Sequence, residues 1–189
     1  KTSSNIFLFM DKFLLKKTNE ISSNVNADKA VYYSVKVREN DIWDASIYQK
    51  HLQKGEDLGI RMRNAFQHGF DQEYENIILI GSDLPNISKE IIDNGFKKLY
   101  NNDIVFGPAE DGGYYLIGMS KMNTSVFENK PWSQSELLAV TLGQLKEQQQ
   151  KVGQIETLND IDTFEDLIAS DFYKKNPKIQ QIIQQTNLA

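Results

Sequence analysis

Carboxylates that directly follow short apolar runs are the residues of this chain best suited to chemistry. In "NIILIGSDLP" the run ends at Ile80, Gly81 and Ser82 let the chain turn, Asp83 stands at the carboxyl end of the expected strand, and Pro85 stops the extension. In "DIVFGPAEDGGYYLIG" a second run ends at Phe106, and Glu110 and Asp111 follow it. Two or three carboxylates at one strand edge repel one another unless protons or a cation compensate. Mg2+ or Mn2+ suits such a set, because a hard cation takes oxygen ligands and fills its shell with water and phosphate oxygens. The structural alternatives are local: an Asx-type turn at Asp83 and a plain hairpin turn at Asp111-Gly112.

"NDIDTFEDL" is the third acidic stretch. Thr163 suits a helix N-cap, and Glu165 and Asp166 favour the positive end of the helix that follows, but Asp160 and Asp162 precede it. In an extended segment Asp-x-Asp turns both carboxylates to one side, as a metal site requires. The fourth stretch, "QKGEDLGIRM", brackets a helix start between Gly55 and Gly59, with Asp57 between them and Arg61 in the first turns. Loop amides and a guanidinium there could receive an anion; a flexible helix start is the simpler alternative. Gly112 and Gly113 fit a place where backbone approaches a ligand closely. Neither His51 nor His68 has a partner motif nearby, and both read as surface or capping residues.

The elements that must position these residues alternate between short β-rich runs and helical patterns, the signature of a parallel or mostly parallel sheet with helices on its faces. Strands are expected over 5–10, 30–37, 76–80, 103–106, 114–117 and 154–157. "NIILI", apolar throughout its last four positions, reads as a central strand in mid-sheet. Leu58, Met62, Ala65 and Phe66 follow helical spacing, with Gly69 to close the helix. Ile92, Phe96 and Leu99 repeat the pattern after Ser88, a good N-cap. A longer helix is expected from Ser133 to about Gln150, with Leu137, Leu138, Leu142 and Leu145 inward. After Pro177 the tail reads as a short amphipathic helix.

Composition narrows the classes. At 189 residues and 40% hydrophobic, the chain can bury a core as one domain over 1–189. Its net charge of −5 weighs against sequence-independent nucleic-acid binding. Having no cysteine, it can form neither disulfides nor thiolate metal sites nor a cysteine nucleophile, which fits a reducing compartment. "IFLFM" is too short for a membrane span or a signal-peptide core, so a cytoplasmic protein without membrane partners is expected. Walker, Rossmann and serine-elbow motifs are absent, as is a D-x-D-x-T nucleophile motif.

Taken together, "QKGEDLGIRMRNAF", "IGSDLP", "GPAEDGGYYLIG" and "NDIDTFEDL", in this order and spacing, closely resemble a bacterial family of glycosyltransferase-like proteins, the radical-SAM/selenodomain-associated transferases. That family is related to the nucleotide-diphospho-sugar transferases of GT-A fold, and more distantly to nucleotidyltransferases that make molybdopterin and deazaflavin cofactors. The resemblance runs from about Ala30 to Leu167. It implies a GT-A-like, three-layer α/β/α fold with a mostly parallel central sheet. It also implies a metal-dependent transferase with a nucleotide-activated donor, moving a sugar from a nucleotide sugar to an unidentified acceptor.

Carried over by motif, Asp83 takes the place of the GT-A metal carboxylate, although Ser82-Asp83-Leu84 is not a literal D-x-D. Asp160 or Asp162 matches the acidic pair that helps the same Mg2+ or Mn2+. Asp111, with Gly112 and Gly113, falls on the acceptor side, where a carboxylate can act as general base on an incoming hydroxyl. Gly55, Asp57, Gly59, Arg61 and Tyr114 join Gly112 and Gly113 as candidate substrate-binding residues. Tyr114 and Tyr115 point to opposite faces of a strand, so that one can enter the core and the other flank a sugar or base. Such families follow the first strand with a glycine-containing loop whose basic segment wraps the nucleotide phosphates, whereas here "NIFLFM" runs straight into "DKFLLKKTNEI". A nucleotidyltransferase of the same fold and a degenerate, non-catalytic binding module are the alternatives. The sequence is silent on oligomeric state.

Overall fold

The central strands carry apolar side chains on both faces. Every residue of β4 (Ile104–Pro108) is buried, with Ile104 and Phe106 turned to one apolar cluster and Val105 to another. β3 (Ile77–Ile80) alternates in the same way: Ile77 and Leu79 face the first cluster, Ile78 and Ile80 the second. Strands covered on both faces need no polar side, which is why "NIILI" and "DIVF" show no alternation. The computed structural model describes residues 18–81, 84–159 and 164–187. The expected strand at 5–10 lies outside them.

The main sheet has the order β3-β5-β4-β6, with β5 (Tyr114–Met119) and β6 (Val152–Gln154). β5 pairs antiparallel with both β3 and β4, and β6 pairs parallel with β4. β3, β4 and β6 therefore run in one direction, and β5 alone is reversed. β3 was expected in mid-sheet, but among the described residues its one ladder partner is β5. The return strand of the hairpin inserts between β3 and β4, so that among the described residues β5 and β4 are the strands flanked on both sides. β6 stops at Gln154, short of 157, yet the chain stays beside β4 as far as the bridge Ala109↔Leu158.

Two further strands, β1 (Lys29–Tyr33) and β2 (Tyr48–Leu52), form a parallel ribbon. β1 ends well before 37 because the chain turns away into a loop tied down by polar groups. Lys50 Nζ reaches the carbonyls of Arg38 and Glu39 at 2.8 and 2.9 Å and Asp41 Oδ1 at 2.9 Å, while Tyr33 donates to Asp41 Oδ2 at 2.6 Å.

Helices cover both faces of the main sheet. α1 spans 18–22. On one face lie α2 (Leu58–Asp71), which buries Met62 and Phe66, and α4 (Leu137–Glu147), which buries Leu138 and Leu145. On the other lies α3 (Lys89–Leu99), capped by Ser88 and burying Ile91, Ile92 and Leu99. The three-layer α/β/α arrangement expected for a GT-A-like fold results. α2 runs past Gly69, whose small size serves packing: an added Cβ would stand 2.6 Å from Ile77 Cδ1. α4 starts with the leucines at Leu137 and not at the expected Ser133, which adopts φ 61°, outside helical backbone, and it ends at Glu147. α5 (Phe164–Ala169), α6 (Asp171–Lys174) and α7 (Pro177–Asn187) gather Leu167, Phe172, Ile179 and Ile183 into a third cluster. No helix among the described residues is long and apolar enough to cross a membrane.

Candidate functional site

Because β3, β4 and β6 share one direction, their carboxyl ends lie along one edge of the sheet, where ligands of open α/β sheets bind. Gly81, just beyond β3, donates its N–H to the carbonyl of Tyr115 at 3.1 Å. Beyond β4, Glu110 N–H donates to the Leu158 carbonyl at 3.0 Å, and Leu158 N–H to that of Pro108 at 3.0 Å. The chain leading into 82–83 and the chain leading into 160–163 thus both depart from beside the β4–β5 turn. The described parts of three of the four sequence stretches meet at this edge even though β5 separates β3 from β4.

The turn itself is built by a bulge. Register shifts between Gly107 and Pro108, which face Leu116 and Tyr114, so Tyr115 is the extra residue of β5. The bulge sets Tyr115 and Leu116 on the same side, in the α3 cluster, with Tyr114 opposite in the α2 and α4 cluster. Tyr115 lies across β4 over Gly107, where a Cβ would come within 2.5 Å of the ring, and its hydroxyl donates to the Glu156 carbonyl at 2.9 Å. One side chain thus fastens β5, β4 and the 155–158 segment together. Burial lifts both phenols well above the usual tyrosine range. The Tyr114 hydroxyl is enclosed without a hydrogen-bond partner among the described residues, its ring 5.1 Å from that of Phe106, so Tyr114 faces the core instead of flanking an open cleft.

Gly112 is clamped. Its φ of +91° favours glycine, its carbonyl accepts from Leu138 N–H at 3.0 Å, and an added Cβ would stand 1.9 Å from the Ser135 carbonyl oxygen. On its Cβ side, the close approach at this glycine is therefore to the backbone before α4. Gly113 N–H donates to Asp111 Oδ1 at 2.8 Å, so Asp111 forms an Asx-type turn as well as standing exposed at the edge. Glu110 beside it is exposed too.

The start of α2 is occupied by its own groups. Asp57 is the N-cap, accepting from Ile60 N–H at 2.7 Å, and its carboxylate stands where an anion would have to sit. Arg61 Nε donates to the Gly55 carbonyl at 3.0 Å. Gly55 at φ +138° lets the loop fold over Ile60, and Gly59 is demanded by Trp132 Cζ2 and the Phe127 carbonyl, 2.6 and 2.7 Å from an added Cβ. These four residues all have structural partners within the chain. Asp57→Ala is expected to cost about 1 kcal/mol, and Asp57→Asn much less, because asparagine caps as well as aspartate. Urea denaturation of both variants checks this; equal losses would mean that the charge, and not the cap, is what counts.

Asp83, Asp160 and Asp162 lie outside the described residues. Among those described, no three histidine, cysteine, aspartate or glutamate side chains group closely enough to hold a metal ion. The three named carboxylates would form an all-oxygen donor set, which suits Mg2+ or Mn2+.

Two features escaped the sequence pattern. Trp132 lies against Gly59 and Ser135 against Gly112, so the 131–136 loop ties the start of α2 to the turn that carries Asp111. The signal was Pro131 and the serines after it, obscured by the leucine periodicity downstream. His51 and His68 are also more than isolated surface residues: their ring centroids are 4.6 Å apart.

A family model described as "Uncharacterized protein conserved in bacteria (DUF2064)" matches residues 17–134. In structure the chain is similar to a protein of Desulfovibrio desulfuricans G20 that bears the provisional name nucleotide-diphospho-sugar transferase. The TM-score is 0.78 at 25% identity, covering 96% of this chain and 87% of that one. No curated protein sequence matches significantly.

Proposed function

The chain belongs to the DUF2064 family, and from that premise we propose that it is a metal-dependent transferase of GT-A type, moving a sugar from a nucleotide sugar to an acceptor hydroxyl. One observation carries this proposal: the ends of β3 and β4, the turn bearing Asp111, and the 155–159 segment share one sheet edge. Likeness to a protein named for nucleotide-diphospho-sugar transfer supports a general transferase role. The narrower kinship with radical-SAM/selenodomain-associated transferases belongs to the same proposal.

In the proposed step Asp111 takes the proton of the acceptor hydroxyl as its oxygen bonds to the anomeric carbon, and the bond from that carbon to the diphosphate oxygen breaks. Gly113 N–H holds Asp111 Oδ1, which leaves Oδ2 to receive the proton. Arg61, its Nε held by Gly55, offers its terminal nitrogens to the donor's phosphates. Asp83, Asp160 and Asp162 would hold Mg2+ or Mn2+, which when bound neutralises the departing diphosphate.

A thermal-shift panel of nucleotide sugars, nucleoside diphosphates and nucleoside triphosphates, each with Mn2+ or with a chelator, tests the proposal. A nucleotide sugar at about a hundredfold its Kd should stabilise by about 2.7 kcal/mol. That gain should require metal and vanish in Asp83→Asn. Pyrophosphate release from a nucleoside triphosphate would point instead to a nucleotidyltransferase, and no shift with any nucleotide to a non-catalytic module.

A further inference from the structure

The two histidines of the chain, seventeen positions apart in sequence, meet between the ribbon and α2. His51 on β2 and His68 on α2 cross edge to face at 76°, and Tyr32 on β1 completes the group, 5.1 Å from the His51 ring and 6.3 Å from the His68 ring. His68 Nδ1 lies 2.8 Å from the Tyr32 hydroxyl, and its Nε2 lies 3.2 Å from Gln72 Nε2. With the Gln72 amide donating, His68 carries its proton on Nδ1 and gives it to Tyr32. His51 Nε2 is buried without a hydrogen-bond partner among the described residues. A charged imidazolium there would have one N–H donor enclosed and unanswered, which is costly in a low-dielectric setting.

We propose that His51 and His68 form a proton-sensitive contact, which holds β2 against α2 while His51 is neutral and weakens when mild acid charges it. Among the described residues, the charged groups around the pair are engaged elsewhere. On the same strand Lys50 is turned to Asp41 at 2.9 Å. From β1, Tyr32 is kept a neutral phenol by burial. On α2, Asp71 accepts from Gln67 at 2.7 Å, and beyond the helix Tyr74 donates to Asp28 at 2.7 Å. Burial first, and the neighbouring His68 second, hold the imidazole of His51 below its ordinary 6.5.

The sign follows from that depression. An unfolded chain binds the His51 proton more tightly than the folded one, so the contact is at full strength above pH 6.5 and is lost as pH falls from 6.5 toward the lower folded value. The contact requires no catalytic turnover and stands whether or not the transferase proposal holds.

Proton NMR of the two imidazole Cε1–H signals in the full chain, titrated from about pH 8 to about pH 5 and assigned with His51→Phe, tests it. His51 should titrate below 6.5, and amide exchange over 48–52 should accelerate in the same range while that of β4 does not. Between about pH 7.5 and pH 5, the parent chain should lose about 3 °C more of melting temperature than His51→Phe, which keeps a flat ring but cannot be charged. A His51 midpoint at or above 6.5 overturns the proposal, as does a parallel loss in His51→Phe. If that variant fails to fold, the midpoint and exchange measurements on the unaltered chain decide alone.

Discussion

Gly112→Ala is expected to lower stability by about 3 to 4 kcal/mol, one of the larger single-residue effects available in this chain. A methyl group at φ +91° brings conformational strain of about 1–2 kcal/mol. Steric conflict adds about 1–3 kcal/mol more, because the atom 1.9 Å from the new Cβ is a backbone carbonyl oxygen of Ser135, which no side-chain rotation relieves. The shift that relieves it must also pull Leu138 N–H away from the Gly112 carbonyl at the start of α4. For a chain of this length that is a fall of about 10 °C in melting temperature. Gly113→Ala supplies the control, since its Cβ would meet only the end of the Asp111 side chain at 3.2 Å, which need give by no more than a few tenths of an ångström. If scanning calorimetry finds the two variants equally stable, the clamp between the turn and α4 does not limit stability.

Asp111→Asn is expected to reduce turnover by about 10²- to 10⁴-fold while leaving the melting temperature nearly unchanged. Asparagine keeps the Oδ1 acceptor that receives Gly113 N–H at 2.8 Å, so the turn survives. It cannot take a proton from an acceptor hydroxyl. Release of nucleoside diphosphate from whichever nucleotide sugar the thermal-shift panel identifies gives the rate. Turnover within about threefold of the parent would remove Asp111 from the role of general base and leave it a turn residue. A large drop in melting temperature would show instead that the negative charge itself holds the turn.

Much of the scaffold was legible in the sequence because its strands are covered on both faces. "NIILI" and "DIVF" announce themselves as apolar runs, and Ser88 and Asp111-Gly112 mark a cap and a turn that the structure contains. β2 was not legible. In "YQKHL" only Tyr48 is buried, and the strand exists because it pairs with β1 from outside its own sequence. Strand direction was enough to bring the chain just after β3 and the turn after β4 to one edge. What sequence could not supply was the reason for each glycine: the partner of Gly112 is Ser135, and that of Gly59 is Trp132, both contacts far along the chain. The meeting of His51 with His68 is of the same kind, since no local pattern on β2 or α2 announces the other ring.

The glycines at the turn also bear on how such a chain could drift. Gly107 makes room for the Tyr115 ring, and Gly112 makes room for Ser135, so both are required by the architecture whether or not any chemistry takes place. A descendant that had given up catalysis would still keep Gly107, Gly112 and Tyr115, and a search keyed to those positions would retrieve it beside active relatives. Asp111 is under a looser architectural demand, because asparagine could make the same bond to Gly113 N–H. With Asp111 as the general base proposed above, a lineage released from selection for turnover could exchange aspartate for asparagine at 111 and keep the turn, so retention of the acid there is the mark by which working enzymes would separate from inherited scaffolds.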